Sequence, residues 1–138
     1  MTSKIAIEPR YQETDKMGII HHSVYAIWYE MGRIRMMEEL GYRFDALEKE
    51  GLGLAITGLE STYIRPAVFG QNYVLSTTLN EISHVRMTFS HTLLDADGRV
   101  VNKGRTMVAW VDGDMRPVSV RKTHPALHDL LVRSLERQ

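Results

Sequence analysis

The stretch that decides the fold runs from Glu13 to Glu30, ETDKMGIIHHSVYAIWYE. An acid, a glycine and two adjacent histidines lead into a segment with almost nothing polar in it. Residues 23–40, SVYAIWYEMGRIRMMEEL, read as a helix, with Ser23 placed to cap its start and Gly41 to end it. At 100° per residue, Val24, Tyr25, Ile27, Trp28, Tyr29, Met31, Gly32 and Ile34 point in nearly every direction. A helix apolar all round is expected to be buried all round. A strongly curved sheet wrapped about it, or a second subunit, would bury it so.

Outside that helix the chain reads mostly as strands. IAIEP (5–9) alternates and suits a short first strand ending at Pro9, and RFDALEKEG (43–51) suits a short helix or turn. Residues 54–64, 73–82, 84–94 and 99–111 are strand-like runs separated by RPAVFGQ, a break near Ser83, DADG and DGDMRP. In the third run Val85, Met87, Phe89 and Leu93 share one face, and His91 falls on it as a satisfied or rim histidine. The tail, residues 123–138, reads as a closing amphipathic helix with Pro125 in its first turn. The order is strand, long helix, then about four antiparallel strands. The fold class is therefore α+β, in one domain over residues 1–138.

Composition removes several functions. The 138 residues carry seventeen basic and seventeen acidic side chains, which excludes the broad basic footprint of a nucleic-acid or membrane-surface binder. No apolar run approaches the roughly 20 residues needed to span a bilayer. No cysteine is present, so disulfides, thiolate metal sites and a thiol nucleophile are excluded. The N-terminus lacks the apolar core of a signal peptide, and the chain is expected in the cytoplasm.

The chemistry sits in the opening stretch. The first amides of a buried helix need partners, and with the helix dipole they suit an anion or a developing oxyanion. Gly18 allows a tight turn and close approach of a ligand, while Asp15 and His22 flank the same helix end. A carboxylate, an imidazole and free N–H donors are the parts for acyl transfer or hydrolysis. Asp15 also fits a turn or capping role. Tyr25, one turn into the helix, reads as core or as the wall of an acyl pocket. Glu30 reads either as a second carboxylate or, preferably, as a buried partner of Arg33 or Arg65. His21, His22 and Asp15 make a poor metal set, because adjacent side chains point apart; no metal or cofactor is expected.

The pattern R-Y-x-E-T-D-x-M-G-x-x-x-H-x-x-Y-x-x-W-x-E, present as Arg10 to Glu30, resembles the signature of the hydroxybenzoyl-CoA thioesterase-like, or acyl-CoA thioesterase, branch of the hotdog-fold superfamily. YIRPAVFGQNY (63–73) and GRTMVAWVDGDMRPV (104–118) resemble later parts of the same pattern. The resemblance implies a hotdog fold, in which a curved antiparallel sheet of about five strands wraps a long central helix. It implies a homodimer, often paired into a homotetramer, with sites at the subunit interface and an acyl-CoA substrate. It implies that Asp15 is nucleophile or general base, that the His22 backbone N–H polarises the thioester carbonyl, and that the His22 imidazole assists. His21 stands where tyrosine is usual in that branch. A hotdog hydratase or dehydratase is a second reading, though its D-x4-H spacing differs from the D-x6-H of Asp15 and His22. A non-catalytic acyl-CoA-binding hotdog domain is a third.

Overall fold

A computed structural model of the chain describes residues 1–136. Five strands form one antiparallel sheet in the order β1-β3-β4-β5-β2. They are β1 (Thr2–Ile7), β2 (Gly53–Tyr63), β3 (Tyr73–Ile82), β4 (Arg86–Leu94) and β5 (Val100–Val111). The helices are α1 (Val24–Glu39), α2 (Phe44–Lys49), α3 (Val120–Thr123) and α4 (Pro125–Glu136). This is the curved sheet over one main helix that the sequence predicts. Strands β2 to β5 begin and end within two residues of the expected runs. Strand β1 begins earlier, because pairing with β3 already starts at Thr2↔Thr78. It stops before Pro9, which has no N–H for the ladder. The one-turn α3 is absent from the sequence reading; α4 matches the expected tail, whose last two residues lie outside the described ones.

Helix α1 narrows one expectation and corrects another. Its buried residues are Val24, Tyr25, Trp28, Tyr29, Gly32, Arg33, Met36 and Met37, a single stripe repeating at i, i+1, i+4, i+5. Ile27 and Met31 are about half exposed on the other side. Within one chain the sheet covers one face only. Ser23 makes no capping bond; instead the Ser23 N–H donates to His21 Nδ1 at 3.2 Å. The Ser23 hydroxyl also lies 2.8 Å from that nitrogen, so both groups of Ser23 turn back to His21. The far end follows expectation. The Gly41 N–H donates to the Glu38 carbonyl and the Tyr42 N–H to the Met37 carbonyl, both at 2.9 Å, with Gly41 at φ +95°. That is a Schellman motif.

The core falls into two apolar clusters joined by a polar layer. One gathers Met36, Met37, Leu79, Met87, Phe89, Trp110, Leu127 and Leu131 where the end of α1 meets α4. The other gathers Ile7, Ile20, Tyr25, Trp28, Leu75, Leu93 and Val101 around the start of α1. Between them His91, 1% exposed, meets Thr77 at 3.1 Å and Thr106 at 2.9 Å, and stacks on Tyr29 at 4.5 Å. The Tyr29 hydroxyl donates to Asn102 Oδ1, the Asn102 amide donates to Ser61 Oγ at 3.0 Å, and Ser61 Oγ lies 2.8 Å from the Tyr29 hydroxyl. Three polar groups thus satisfy one another in a closed ring. Burial pushes the Tyr29 phenol up to about 12 against the pull of its bonds to Ser61 and Asn102.

Burial, with Arg33 nearby, brings the His91 imidazole down to about 3. An unfolded imidazole titrates near 6.5, so between about pH 6.5 and 3 the unfolded chain holds the extra proton. Stability is therefore full above pH 6.5 and falls by up to about 1.4 kcal/mol per pH unit as acid enters that window. Urea unfolding of wild type and His91→Gln from pH 7.5 to 4.5 checks this. The variant, which cannot take that proton, is expected to lose less stability over the range; parallel curves would contradict the assignment.

Candidate active site

The loop before α1 is folded by its own acids. Glu13, 7% exposed, accepts from the Arg10 amide at 2.7 Å through Oε1 and from the Trp28 indole at 3.3 Å through Oε2. Its backbone carbonyl takes the His21 N–H at 2.9 Å. One buried residue so ties the Tyr11–Glu13 turn, the loop and α1 together. The sequence reading passed over Glu13; its signal was an acid inside the Arg10–Glu30 pattern, which also holds a tryptophan that needs an acceptor.

Asp15 opens a tight turn. Its amide donates to the Ile19 carbonyl at 2.8 Å, and its own carbonyl accepts from Gly18 at 3.1 Å. Oδ1 accepts the Met17 amide at 2.7 Å, an Asx turn, while Oδ2 has no partner among the described residues. The turn reading of Asp15 thus holds, and it leaves one carboxylate oxygen open. Gly18 has φ +79°, which the turn needs and a side chain would resist.

A cleft of about 440 Å³ gathers Asp15, Ile20, His22, Tyr25, Tyr63 and Arg65. The structure therefore brings Asp15, His22 and Tyr25 together. Gly18 is exposed at the turn and is not among the residues lining that cleft. Tyr25 is 3% exposed and its hydroxyl accepts from the Ala67 amide at 3.3 Å, fixing the 65–68 loop against α1. Burial raises its pKa against that bond. Tyr63, which the sequence reading did not single out, packs edge-on to Tyr25 at 5.3 Å and donates to the His22 carbonyl at 3.0 Å.

Four amides, from His21 to Val24, lead into α1, and three are taken. His21 N–H goes to Glu13, Ser23 N–H to His21 Nδ1, and Val24 N–H to the His21 carbonyl at 3.0 Å. Of these four, the His22 N–H alone has no acceptor among the described residues. It is the donor left for a ligand at the positive end of the helix dipole. The His22 ring is exposed and makes no hydrogen bond to Asp15. It stacks on His21, with centroids 4.2 Å apart. That corrects the expectation that the adjacent rings point apart; the backbone is still turning into the helix here. Among the described residues no group of three or more His, Asp or Glu is placed to hold a metal ion.

Glu30 also departs from expectation. It is exposed, with no ion pair to Arg33 or Arg65. Arg33 is 6% exposed and its Nη1 has no partner among the described residues; burial lowers its pKa while Glu30 opposes. Position 30 falls off the buried stripe of α1 and position 33 falls on it. His124 ends α3 and lies 3.8 Å from Glu50, outside α4 as Pro125 implies.

Residues 9–130 match the Thioesterase-like superfamily. The chain belongs to that family. It is 29% identical over 127 residues to YneP of Bacillus subtilis (strain 168), which is named provisionally as an acyl-CoA thioesterase, with 91% of this chain and 92% of that protein covered. It is 23% identical over 114 residues to the acyl-CoA thioester hydrolase YbgC of Escherichia coli O6:H1, covering 82% of this chain and 85% of YbgC. Among solved structures, a DHNA-CoA thioesterase from Staphylococcus aureus superposes with a TM-score of 0.94 at 27% identity, over 99% of this chain and 93% of that one. The hotdog architecture expected from the Arg10–Glu30 pattern is thus the one observed.

Proposed function

We infer that this acyl-CoA thioesterase works through Asp15 and the His22 amide. The observation that carries the reading is the pairing of one open carboxylate oxygen with one open helix N-terminal donor in the same cleft. The thioester carbonyl oxygen rests on the His22 N–H, which stabilises the charge developing there; such a donor is worth about 3–4 kcal/mol. Two routes share this geometry. In one, Asp15 Oδ2 takes a proton from water as its oxygen bonds to the carbonyl carbon. In the other, Oδ2 bonds to that carbon itself, giving an anhydride that water then opens. In both, the C–S bond breaks and the sulfur leaves as the CoA thiolate, which needs little help from an acid. The exposed His22 ring orients the water rather than Asp15.

The test is release of free thiol from a panel of acyl-CoAs by the purified chain, with enoyl-CoA hydration assayed beside it. Thiol release supports hydrolysis. Hydration without release would favour a hydratase, and saturable binding without turnover a binding domain.

We further propose a homodimer formed through β2. That strand pairs with β5 on one edge and, among the described residues, with nothing on the other, and an open apolar edge of 11 residues is a template for pairing. Leu59 and Tyr63 lie opposite Thr106 and Asn102, so they share the helix-facing side of the sheet. With Ile56, Ile27 and Met31 they form an apolar face about half exposed beside the cleft. A second copy covering it would complete the burial of α1 that its sequence predicts. Sedimentation velocity of the Met31→Lys/Leu59→Lys double variant is expected to show monomer at concentrations where wild type is dimeric; an unchanged dimer would refute the β2 interface. Tetramer formation and a cytoplasmic location belong to the same proposal and are read by the same sedimentation runs and by cell fractionation.

A further inference from the structure

Two charged side chains are buried among the described residues, and only one of them is answered. Glu13 has both carboxylate oxygens engaged, at the Arg10 amide and the Trp28 indole. Arg33, 6% exposed, makes no hydrogen bond and no ion pair among the described residues, and its Nη1 is shut off from solvent. A buried charge is ordinarily paired, so this guanidinium marks a place where a partner is received.

Arg33 lines a cleft of about 190 Å³ between α1, α2 and the start of β2. Ile34, Phe44, Leu54 and Ile56 give it apolar walls, and two acids, Glu30 and Glu48, stand beside it exposed to solvent. It shares no residue with the Asp15 cleft. From Tyr25 in that first cleft to Arg33 in the second, the helix advances about 12 Å. Arg33 lies on the stripe of α1 that faces the chain's own sheet, not on the Ile27 and Met31 side. A second copy seated on that side therefore closes over the cleft rather than filling it.

The group that answers a buried cation must bring charge, since a hydroxyl or an amide leaves the cation unpaired. A carboxylate presents two oxygens to the guanidinium fork and carries a single charge. A phosphate fits worse, because it carries more charge past Glu30 and Glu48 and has no use for apolar walls. The cleft is below the roughly 300 Å³ at which sites for drug-sized ligands begin, so the body behind the carboxylate is a few carbons long.

We propose that this cleft binds a short aliphatic carboxylate on Arg33. Two molecules carry that group. One is a free carboxylic acid, the class of product a thioesterase releases. The other is an acyl group that ends in a second carboxylate. Along one chain such a group must bridge two clefts at opposite ends of β2. The β2 pairing proposed above removes that distance, because two-fold antiparallel strands set the Leu54 end of one against the Tyr63 end of the other. Binding of a free acid needs neither that dimer nor the acyl-CoA reading; the second source rests on both.

Calorimetry compares hexanoate with hexanamide, equal in length and different in charge, on wild type, Arg33→Met and Ile34→Trp. The first variant removes the cation, the second fills the cleft and keeps it, and melting curves confirm folding. Wild type is expected to bind hexanoate at least about ten-fold more tightly than hexanamide, as a charge-assisted hydrogen bond supports, and both variants to lose that preference. Thiol release from adipyl-CoA, whose acyl group ends in a carboxylate, is measured beside hexanoyl-CoA. A kcat/KM preference for adipyl-CoA that Arg33→Met abolishes assigns the acyl group as the source. No such preference, with hexanoate held by Arg33, assigns the free acid. Wild type that binds hexanoate and releases no thiol keeps the cleft and counts against the thioesterase reading instead. Absence of both preferences in wild type, or their persistence in a folded variant, would overturn the site. Absence of both with Arg33→Met turned monomeric in sedimentation would overturn it by giving the counter-charge to the second copy.

Discussion

Asp15→Asn is expected to lower kcat by about a thousand-fold on any acyl-CoA the wild type hydrolyses, within the range that a positioned general base contributes. The substitution is chosen because it changes the chemistry and little else. Asparagine keeps an oxygen that can accept the Met17 amide, so the Asx turn and the loop that Glu13 anchors are retained. What disappears is the charge on the second oxygen, the one with no protein partner. An amide neither takes a proton from water at neutral pH nor attacks a thioester. The His22 donor and the cleft are untouched, so KM should stay within a few-fold. This is the pattern of an interaction made in the transition state alone. A loss of only a few-fold in kcat/KM, with melting unchanged, would remove Asp15 from the mechanism.

The second large effect concerns the polar layer under α1. A Cβ added at Gly104 would overlap the ring and hydroxyl of Tyr29. That ring has nowhere to go. It stacks on His91 at 4.5 Å, and its hydroxyl closes the ring with Asn102 and Ser61. Gly104→Ala therefore forces the helix off the sheet or breaks the ring of hydrogen bonds, leaving Asn102, wholly buried, short of a partner. Overpacking of this kind costs about 3 kcal/mol. In a chain of this size that is on the order of 10 °C in Tm. Gly32 makes the same close approach on the helix side, where a Cβ would overlap Thr77 Oγ1. Thermal unfolding of Gly104→Ala within a degree or two of wild type would show that Tyr29 can repack. It would then remove the argument that this layer fixes the depth of α1.

These two positions differ in how far the sequence announces them. Asp15 is legible through the Arg10–Glu30 pattern alone, since an acid seven residues before a histidine fits a turn or a cap equally well. Gly104 is not legible, since a glycine inside strand β5 says nothing of the tyrosine that lies against it until the two are packed. The strands were readable because each alternates or is bounded by Gly, Pro and Asp. Helix α1 was readable as an element, but its partner was not. Ile27 and Met31 are as apolar as Trp28 and Tyr29, and the pattern does not say which of them the chain's own sheet covers. The capping residue was misplaced for a local reason. Serine is the stronger cap by propensity, yet the turn held by Glu13 brings His21 into position first. Glu30 and Arg33 show the same limit: three residues apart suggests a pair, but the stripe buries one and exposes the other.

In the proposed mechanism a thioester carbonyl sits on the His22 amide with Asp15 facing it. A crystal structure of the Asp15→Asn protein with an acyl-CoA trapped in it tests this most directly. The thioester oxygen is expected within about 3.1 Å of the His22 backbone nitrogen, with the side chain at position 15 beside the carbonyl carbon. A thioester bound away from the start of α1, or one whose oxygen is held by another donor while the His22 N–H faces solvent, would contradict it.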